Sequence, residues 1–192
     1  MGSDETPEQL VHRITGILDD AGVQYMLTGS MASGFHGAPR ASHDVDIVVA
    51  PNLGALLKLL TFLPVEHYYW SKEAALEAYG SEGLFNVIDL ATGWKIDFII
   101  KKSRAFSTQE FERRAETVLE GRAVFIASAE DVLLAKLEWS KLSGSERQLE
   151  DAAGIVRIQG ADLDRHYVEK WASSLDVCAQ WERVQTGSLA QE

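Results

Sequence analysis

The chain has 192 residues, 46% of them hydrophobic, and a formal net charge of −11 at pH 7. This hydrophobic fraction excludes a mainly disordered chain, because it supplies enough apolar surface to build a core. The acidic charge argues against a broad basic groove for nucleic acid, although a local basic patch can still attract phosphate groups.

The chain has one cysteine, Cys178, which cannot form an intramolecular disulfide, and no Cys/His zinc spacing, so a reducing compartment is expected. The first residues, MGSDETPEQ, are polar and acidic and lack the basic start and apolar stretch of a signal peptide. No apolar run has the length needed to cross a bilayer. We therefore expect a cytoplasmic protein with no membrane partner.

The first part of the chain mixes helix and strand patterns. Thr6, Pro7 and Gln9 have the form of a capping box, which predicts a helix that runs to Gly22. Further apolar patterns predict, in chain order, a strand over 25–28, a small-residue helix over 31–36 after Gly29-Ser30, a strand over 44–49 and a helix over 52–63.

Residues 65–83 are ambiguous and suggest a strand followed by a short helix. The runs 84–90 and 94–100 flank Ala91-Thr92-Gly93, which predicts an antiparallel hairpin. Ser107 with Glu110 again fits a capping box, and residues 118–126 predict a further strand.

From Ser128 onward the pattern is helical alone, with segments near 129–142, 146–158, 163–174 and 177–184. The aromatic residues Tyr167, Trp171 and Trp181 fall in these helical patterns and are predicted to lie in the core. We therefore predict an α+β fold, in which a mixed β-sheet flanked by helices is followed by a helical C-terminal region, with the division at residues 1–127 and 128–192.

The segment with most chemical information contains two carboxylates, Asp44 and Asp46, which lie two residues apart on a predicted strand. They share one face, while Val45 and Ile47 point to the other. A cation between them would relieve their repulsion, and oxygen ligands suit magnesium or manganese. Asp97 stands in another apolar strand, where a carboxylate needs a partner. If the strands are neighbours, the three carboxylates converge and suit two ions about 4 Å apart.

Other interpretations of these residues stay open. Asp-x-Asp pairs commonly lie on solvated strand ends, where they bind nothing. Gly29-Ser30 favours a close approach of the backbone to a phosphate, because glycine has no side chain and the amides at a helix start attract anions. The same dipeptide also fits an ordinary turn between strand and helix, with Ser30 as the cap.

In this order, a hydrophobic strand, Gly-Ser, a strand with Asp-x-Asp and a later hydrophobic-Asp-hydrophobic strand resemble the polymerase-beta-like nucleotidyltransferase superfamily over roughly the first hundred residues. The segment HGAPRASHDVDIVV is similar to prokaryotic abortive-infection and toxin-antitoxin nucleotidyltransferases. In that group an arginine commonly precedes the carboxylate pair, as Arg40 does here. The resemblance implies a nucleotidyltransferase-type catalytic domain over residues 1–127.

The resemblance also implies roles for individual residues. Gly29 and Ser30 would hold the triphosphate of a nucleoside triphosphate (NTP), with Arg40 counted among the nucleotide-binding residues. Asp44 and Asp46 would bind Mg²⁺ or Mn²⁺. Asp97 would be the third ligand, near the acceptor hydroxyl that attacks the α-phosphate, with pyrophosphate as the leaving group.

Two residues of the helical region extend this set. Lys136 lies on the apolar face of the predicted helix EDVLLAKLEWSKL, where it either extends outward along its own stem or reaches the triphosphate, as the corresponding lysine does in toxin-like relatives. Asp151 matches a further acidic position of those relatives, but an ion pair with Arg147 explains it nearly as well. His36 and His43 precede the carboxylate pair, His43 directly before Asp44, as hydrogen-bond partners or bases or as solvated bystanders.

The acceptor is not specified by fold or metal chemistry. A group of cations follows Asp97 and forms either a basic rim for tRNA or a solvated face of mixed charge: Lys101, Lys102, Arg104, Arg113, Arg114 and Arg122. The leading hypothesis is transfer of a nucleoside monophosphate to RNA or protein, as one component of a toxin-antitoxin pair with a cognate antitoxin. The alternatives are an enzyme that modifies an aminoglycoside or lincosamide, which the acidic charge would suit, and a non-catalytic binding or antitoxin-like relative.

Overall fold

The computed structural model describes residues 5–37, 39 and 41–187. The chain forms two compact units. One comprises the residues up to Leu27 together with Ser42–Ile126, and the other comprises Thr28–Ala41 together with the residues from Ala127 onward. The predicted division into 1–127 and 128–192 stays a prediction.

A mixed β-sheet forms the centre of the first unit. Its strands are β1 (Gln24–Leu27), β2 (Asp44–Ala50), β3 (Tyr68–Tyr69), β4 (Leu84–Asp89), β5 (Lys95–Ile100), β6 (Ala115–Leu119) and β7 (Arg122–Ile126). The strand order is β3-β4-β5-β2-β1-β7-β6. Strand β2 runs parallel to β5 and antiparallel to β1, and β1 runs parallel to β7. The predicted α+β class with a mixed sheet is confirmed.

The helices are α1 (Pro7–Ala21), α2 (Gly29–His36), α3 (Leu53–Thr61), α4 (Lys72–Ser81), α5 (Ala105–Glu112), α6 (Ala129–Ser143), α7 (Glu146–Gln159), α8 (Arg165–Ser174) and α9 (Cys178–Thr186), with a 3₁₀ turn at Gly160–Asp162. The predicted capping box begins α1, because the Thr6 hydroxyl accepts from the Gln9 amide at 3.3 Å and the Gln9 side chain accepts from the Thr6 amide at 3.1 Å. None of the helices within the described ranges combines the length and apolarity needed to cross a bilayer.

Two local predictions in the first unit are wrong. Ser107 does not cap a helix, because α5 begins two residues earlier and buries Phe106 and Phe111. The Ser107 hydroxyl lies within this helix and accepts a hydrogen bond from Arg104 Nε at 3.0 Å. The single strand predicted over 118–126 is a hairpin of β6 and β7. Its turn at Glu120 and Gly121 has φ values of 42° and 81°, a reversal that the apolar pattern does not reveal.

The second unit is helical, with α2 packed on α6 and α7. Gly37 permits this packing at the end of α2, since a Cβ atom there would lie 2.9 Å from the Ile155 amide nitrogen. Trp171 and Trp181 are buried, as predicted, whereas Tyr167 is half-buried and contributes its hydroxyl to a hydrogen bond.

Arg13 of α1 ties three segments of the first unit together. Its Nη2 atom lies 2.6 Å from Glu5 Oε2 and 2.8 Å from Asp89 Oδ2, and the guanidinium also donates to the Tyr68 hydroxyl. The Asp89 side chain is 3% exposed and accepts from the Thr92 amide in the turn between β4 and β5. Burial acts to raise the pKa of Asp89, but the hydrogen bonds from Thr92 and Arg13 outweigh it and hold that pKa below its usual value.

We expect Arg13→Met to lower the free energy of unfolding by about 2 kcal/mol, because it leaves the buried Asp89 carboxylate without its cation. The loss is smaller than for a fully buried pair, because Arg13 is partly exposed and solvent screens its charge. Chemical denaturation at pH 7 measures the loss. Arg122→Met, at an exposed position, is the control and should stay within about 0.5 kcal/mol of the parent. Equal stability of the two variants would contradict the role given to Arg13.

The depressed pKa of Asp89 also predicts a pH dependence. A carboxyl with a lowered pKa in the folded state stabilises the protein above its unfolded pKa, about 3.9, and this contribution is lost as the pH falls through the lower folded pKa. The difference in unfolding free energy between the parent and Asp89→Asn should therefore be full at pH 7 and shrink below about pH 4. A difference that is constant with pH would contradict this.

Candidate active site

The two strands β2 and β5 separate acidic from apolar side chains. In β2, Asp44 and Asp46 are partly exposed whereas Val45 and Ile47 are buried. Strand β5 alternates in the same way, with Lys95 and Asp97 partly exposed and Ile96 and Phe98 buried. We call the surface that carries Asp44, Asp46, Lys95 and Asp97 the acidic face. The apolar residues between them pack in the core, so the acidic residues lie on the opposite side of the sheet.

The register brings the predicted carboxylates together. Asp46 pairs with Asp97 across the parallel β2 and β5 strands, and Asp44 pairs with Lys95. Asn86 of β4 pairs with Asp97 from the other side. Because directly paired residues of neighbouring strands point to the same face, Asp44, Asp46 and Asp97 share the acidic face.

Lys95 links two of these carboxylates. Its Nζ atom lies 2.9 Å from Asp97 Oδ2 and 3.5 Å from Asp44 Oδ1. Asn86 Nδ2 donates to the other oxygen of Asp97. The hydrogen bond to Asp97 is the largest cause of a raised pKa for Lys95, which therefore carries its charge at neutral pH. Asp97, 13% exposed, has the partners that its place in an apolar strand requires.

The chemistry of the acidic face fits a hard divalent cation, since it presents carboxylate oxygens from three side chains. Among the residues that the structure describes, no three acidic, histidine or cysteine side chains stand together at the spacing of a metal site. The Lys95 ammonium instead occupies the position between Asp44 and Asp97. The lysine would have to move aside and the carboxylates to rotate for the three aspartates to surround an ion.

The Gly29-Ser30 segment begins α2 in the second unit. Gly29 has φ +63°, a left-handed conformation that favours glycine. Thr28 occupies the cap position without a side-chain hydrogen bond to the helix, so Ser30 is a residue of the first turn and not its cap. Arg40, the predicted nucleotide-binding arginine, lies outside the described residues.

Lys136 and Asp151 form a buried ion pair between α6 and α7. The Nζ atom lies 2.8 Å from Asp151 Oδ2, and the two side chains are 5% and 8% exposed. Lys136 lies on the apolar face of its helix, as helical periodicity predicts, and Val132 and Leu133 of the same face are both buried. The interpretation that the lysine extends outward to solvent is wrong, because the nearby carboxylate compensates its burial.

Several polar residues of these units were not singled out from the sequence. Asp131 is fully buried in α6, where it accepts from the Tyr167 hydroxyl at 2.6 Å and from the Ser128 hydroxyl at 2.7 Å. Ser128 caps α6, and Ser-x-x-Asp is the signal that identifies such a cap. Lys95 is another such residue. It is the other polar residue in the apolar run 94–100, and its spacing of two from Asp97 is the signal that both share a face.

The histidines and the basic segment have partners. His36 Nε2 lies 2.7 Å from the Ala127 carbonyl oxygen, and burial lowers the pKa of His36. His43 is exposed and its ring contacts Trp94.

Arg114 of the basic segment lies over the ring of Phe111, with 4.2 Å between the guanidinium carbon and the ring centroid. This arginine therefore contributes to packing, and the choice between a basic rim for tRNA and a solvated face of mixed charge stays open.

We expect Lys136→Met to lower the free energy of unfolding by about 3 kcal/mol, because Asp151 would stay buried without a cation. The double variant Lys136→Met, Asp151→Leu should recover most of that loss, since it removes both charges from the interior. Denaturation of the two variants and the parent measures the coupling. A double variant that is less stable than Lys136→Met would show that the pair does not act as a unit.

No family model and no curated protein matches the chain. Among solved structures, ANT(2'')-Ia in complex with adenylyl-2''-tobramycin aligns over 88% of this chain and 96% of its own, at 14% identity and a TM-score of 0.57. The lincosamide antibiotic adenylyltransferase LnuA with lincomycin bound aligns over 80% of this chain and 99% of its own, at 13% identity and a TM-score of 0.54. An antigenic nucleotidyltransferase-like protein from Paracoccidioides brasiliensis aligns over 82% of this chain and 77% of its own, at 17% identity and a TM-score of 0.53. The chain therefore has a nucleotidyltransferase-type fold.

Proposed function

We propose that this protein is a metal-dependent nucleotidyltransferase that moves a nucleoside monophosphate from an NTP to a hydroxyl-bearing acceptor. The observation that carries the proposal is the pairing of Asp46 with Asp97 on parallel neighbouring strands, with Asp44 on the same face. The nucleotidyltransferase-type fold supports it, because that fold is shared with adenylyltransferases.

In this proposal the acidic face holds Mg²⁺ or Mn²⁺ through Asp44 and Asp46, with Asp97 as the third ligand on the acceptor side. When bound, the cations would neutralise charge on the phosphates and lower the pKa of the acceptor hydroxyl. The new bond joins the acceptor oxygen to the α-phosphorus, and the bond from that phosphorus to the bridging oxygen breaks, so pyrophosphate leaves. The contribution of the three aspartates is position and charge.

Gly29, Ser30 and Arg40 are the proposed nucleotide-binding residues, as the resemblance implies. Lys136 and Asp151 are retained as proposed site residues on the same basis. Their ion pair is also a sufficient structural reason for both residues to be present, because each compensates the burial of the other.

We propose RNA, such as tRNA, or a protein as the acceptor, and a place in a toxin-antitoxin pair with a cognate antitoxin. Support comes from the resemblance carried by HGAPRASHDVDIVV and Arg40. A small hydroxylated antibiotic is the second candidate. It is favoured by the fold shared with ANT(2'')-Ia and LnuA and by the net charge of −11, which attracts a cationic acceptor.

Labelled NTPs test the reaction and the acceptor together. The protein is incubated with Mg²⁺, each α-labelled NTP, and separately total tRNA, cell lysate, an aminoglycoside or lincomycin. Label on tRNA or protein supports the first acceptor class, and label on a drug supports the second. Absence of transfer in every mixture by correctly folded protein would contradict the enzymatic proposal and favour a binding or antitoxin-like role.

We expect Asp46→Asn and Asp97→Asn each to lower the rate of transfer about a thousandfold, because each removes a carboxylate ligand that supplies several kcal/mol of charge stabilisation. Asp20→Asn, on the exposed side of α1, is the matched control and should keep the parent rate.

For the toxin role, growth arrest on expression should be relieved by Asp44→Asn. Arrest that persists in that variant would contradict it.

A further inference from the structure

Lys95 is a cationic side chain of the acidic face that contacts two of its carboxylates. It belongs to β5, two residues before Asp97, and its backbone pairs with Asp44 of β2. Its ammonium therefore reaches carboxylates on two different strands, at 2.9 Å from Asp97 and 3.5 Å from Asp44. The lysine occupies the location where the proposed function requires a divalent cation.

A divalent cation bound to these carboxylates would stand beside the Lys95 ammonium, which contacts the same oxygens. Asp97 offers Oδ2 to Lys95 and Oδ1 to Asn86, and each of these oxygens keeps a second lone pair for a cation, so the conflict is one of charge. Displacement of Lys95 removes the repulsion between the ammonium and the incoming ion. Asn86, which is neutral, adds no such repulsion, so Lys95 is the donor that moves.

The side chain of Lys95 is suited to such a movement. It is 39% exposed, and a lysine carries its charge on a flexible stem with four rotatable bonds. Once separated from Asp44 and Asp97, the exposed ammonium is free to contact water or another anion. The triphosphate that arrives with the divalent cation supplies phosphate oxygens, which lysine binds as a point charge.

We infer that Lys95 is a positioning residue of the site, which neutralises Asp44 and Asp97 before the divalent cation binds and then contacts the nucleotide phosphates. This inference rests on the proposed nucleotidyltransferase function and adds a residue to it. The lysine lowers the affinity for the cation alone and raises the affinity for the nucleotide. The site is thereby biased toward loading cation and nucleotide together.

Titration of Mn²⁺ without nucleotide, followed by calorimetry, tests the first half of the inference. Lys95→Met, which keeps an unbranched apolar stem without the charge, should bind Mn²⁺ about fivefold more tightly than the parent, the effect expected from loss of two partly exposed competing ion pairs. Lys72→Met, an exposed lysine at the start of α4, is the control and should bind as the parent does. Unchanged or weaker Mn²⁺ binding by Lys95→Met would overturn the inference.

Binding of α,β-methylene ATP at saturating Mn²⁺ tests the second half. Lys95→Met should bind this analogue about fivefold more weakly than the parent, whereas Lys95→Arg, which keeps the charge, should bind within about twofold of it. Equal affinity of Lys95→Met and the parent for the analogue would overturn the phosphate contact.

Two controls separate this inference from other failures. If Lys95→Met does not fold, as judged by circular dichroism, Lys95→Gln replaces it with a polar neutral side chain and the same expectations apply. Failure of the proposed function has a different signature, in which neither the parent nor any Lys95 variant binds Mn²⁺. Binding by the parent with no change in Lys95→Met contradicts only the role of Lys95.

Discussion

The register between β2 and β5 is the constraint on which the first unit depends. On one face of this strand pair lie Asp44, Asp46, Lys95 and Asp97, and on the other lie buried aliphatic and aromatic side chains. A slip of one residue would bury the carboxylates and expose Ile96 and Phe98, for example, so the apolar core holds the acidic residues in place. The same hydrophobic pattern that stabilises the sheet therefore determines which carboxylates are neighbours.

Charge compensation follows a common pattern in both units. Asp89 is neutralised by Arg13, Asp97 by Lys95 and Asp151 by Lys136, each through an ion pair of 2.8 or 2.9 Å. The pairs differ in exposure. The side chains of Lys136 and Asp151 are almost fully enclosed, whereas that of Lys95 is 39% exposed. A competing cation reaches a partly exposed ion pair more easily than an enclosed one, because less of the surrounding structure has to move.

Local sequence signals identified most of the elements correctly, but not every boundary. The Thr6 and Gln9 capping box, the hairpin around Gly93 and the strand with Asp44 are each determined by neighbouring residues. The predicted start of α5 and the predicted single strand over 118–126 were wrong, because the helix start and the reversal at Gly121 both depend on which side chains the folded unit buries. Lys136 was placed on the apolar face by helical periodicity, but its partner lies fifteen residues away on another helix, beyond the reach of a pattern.

Residue patterns alone are sufficient to identify an α+β protein, to place Asp44 and Asp46 on one face, and to predict that Asp97 needs a partner. Alternation along a strand and the cost of burying a charge are local properties. The folded sheet is needed to show that Asp97 lies opposite Asp46 and that Lys95 stands between Asp97 and Asp44. Strand pairing joins residues about fifty positions apart, and it is chosen by the packing of the whole sheet, which no single segment encodes.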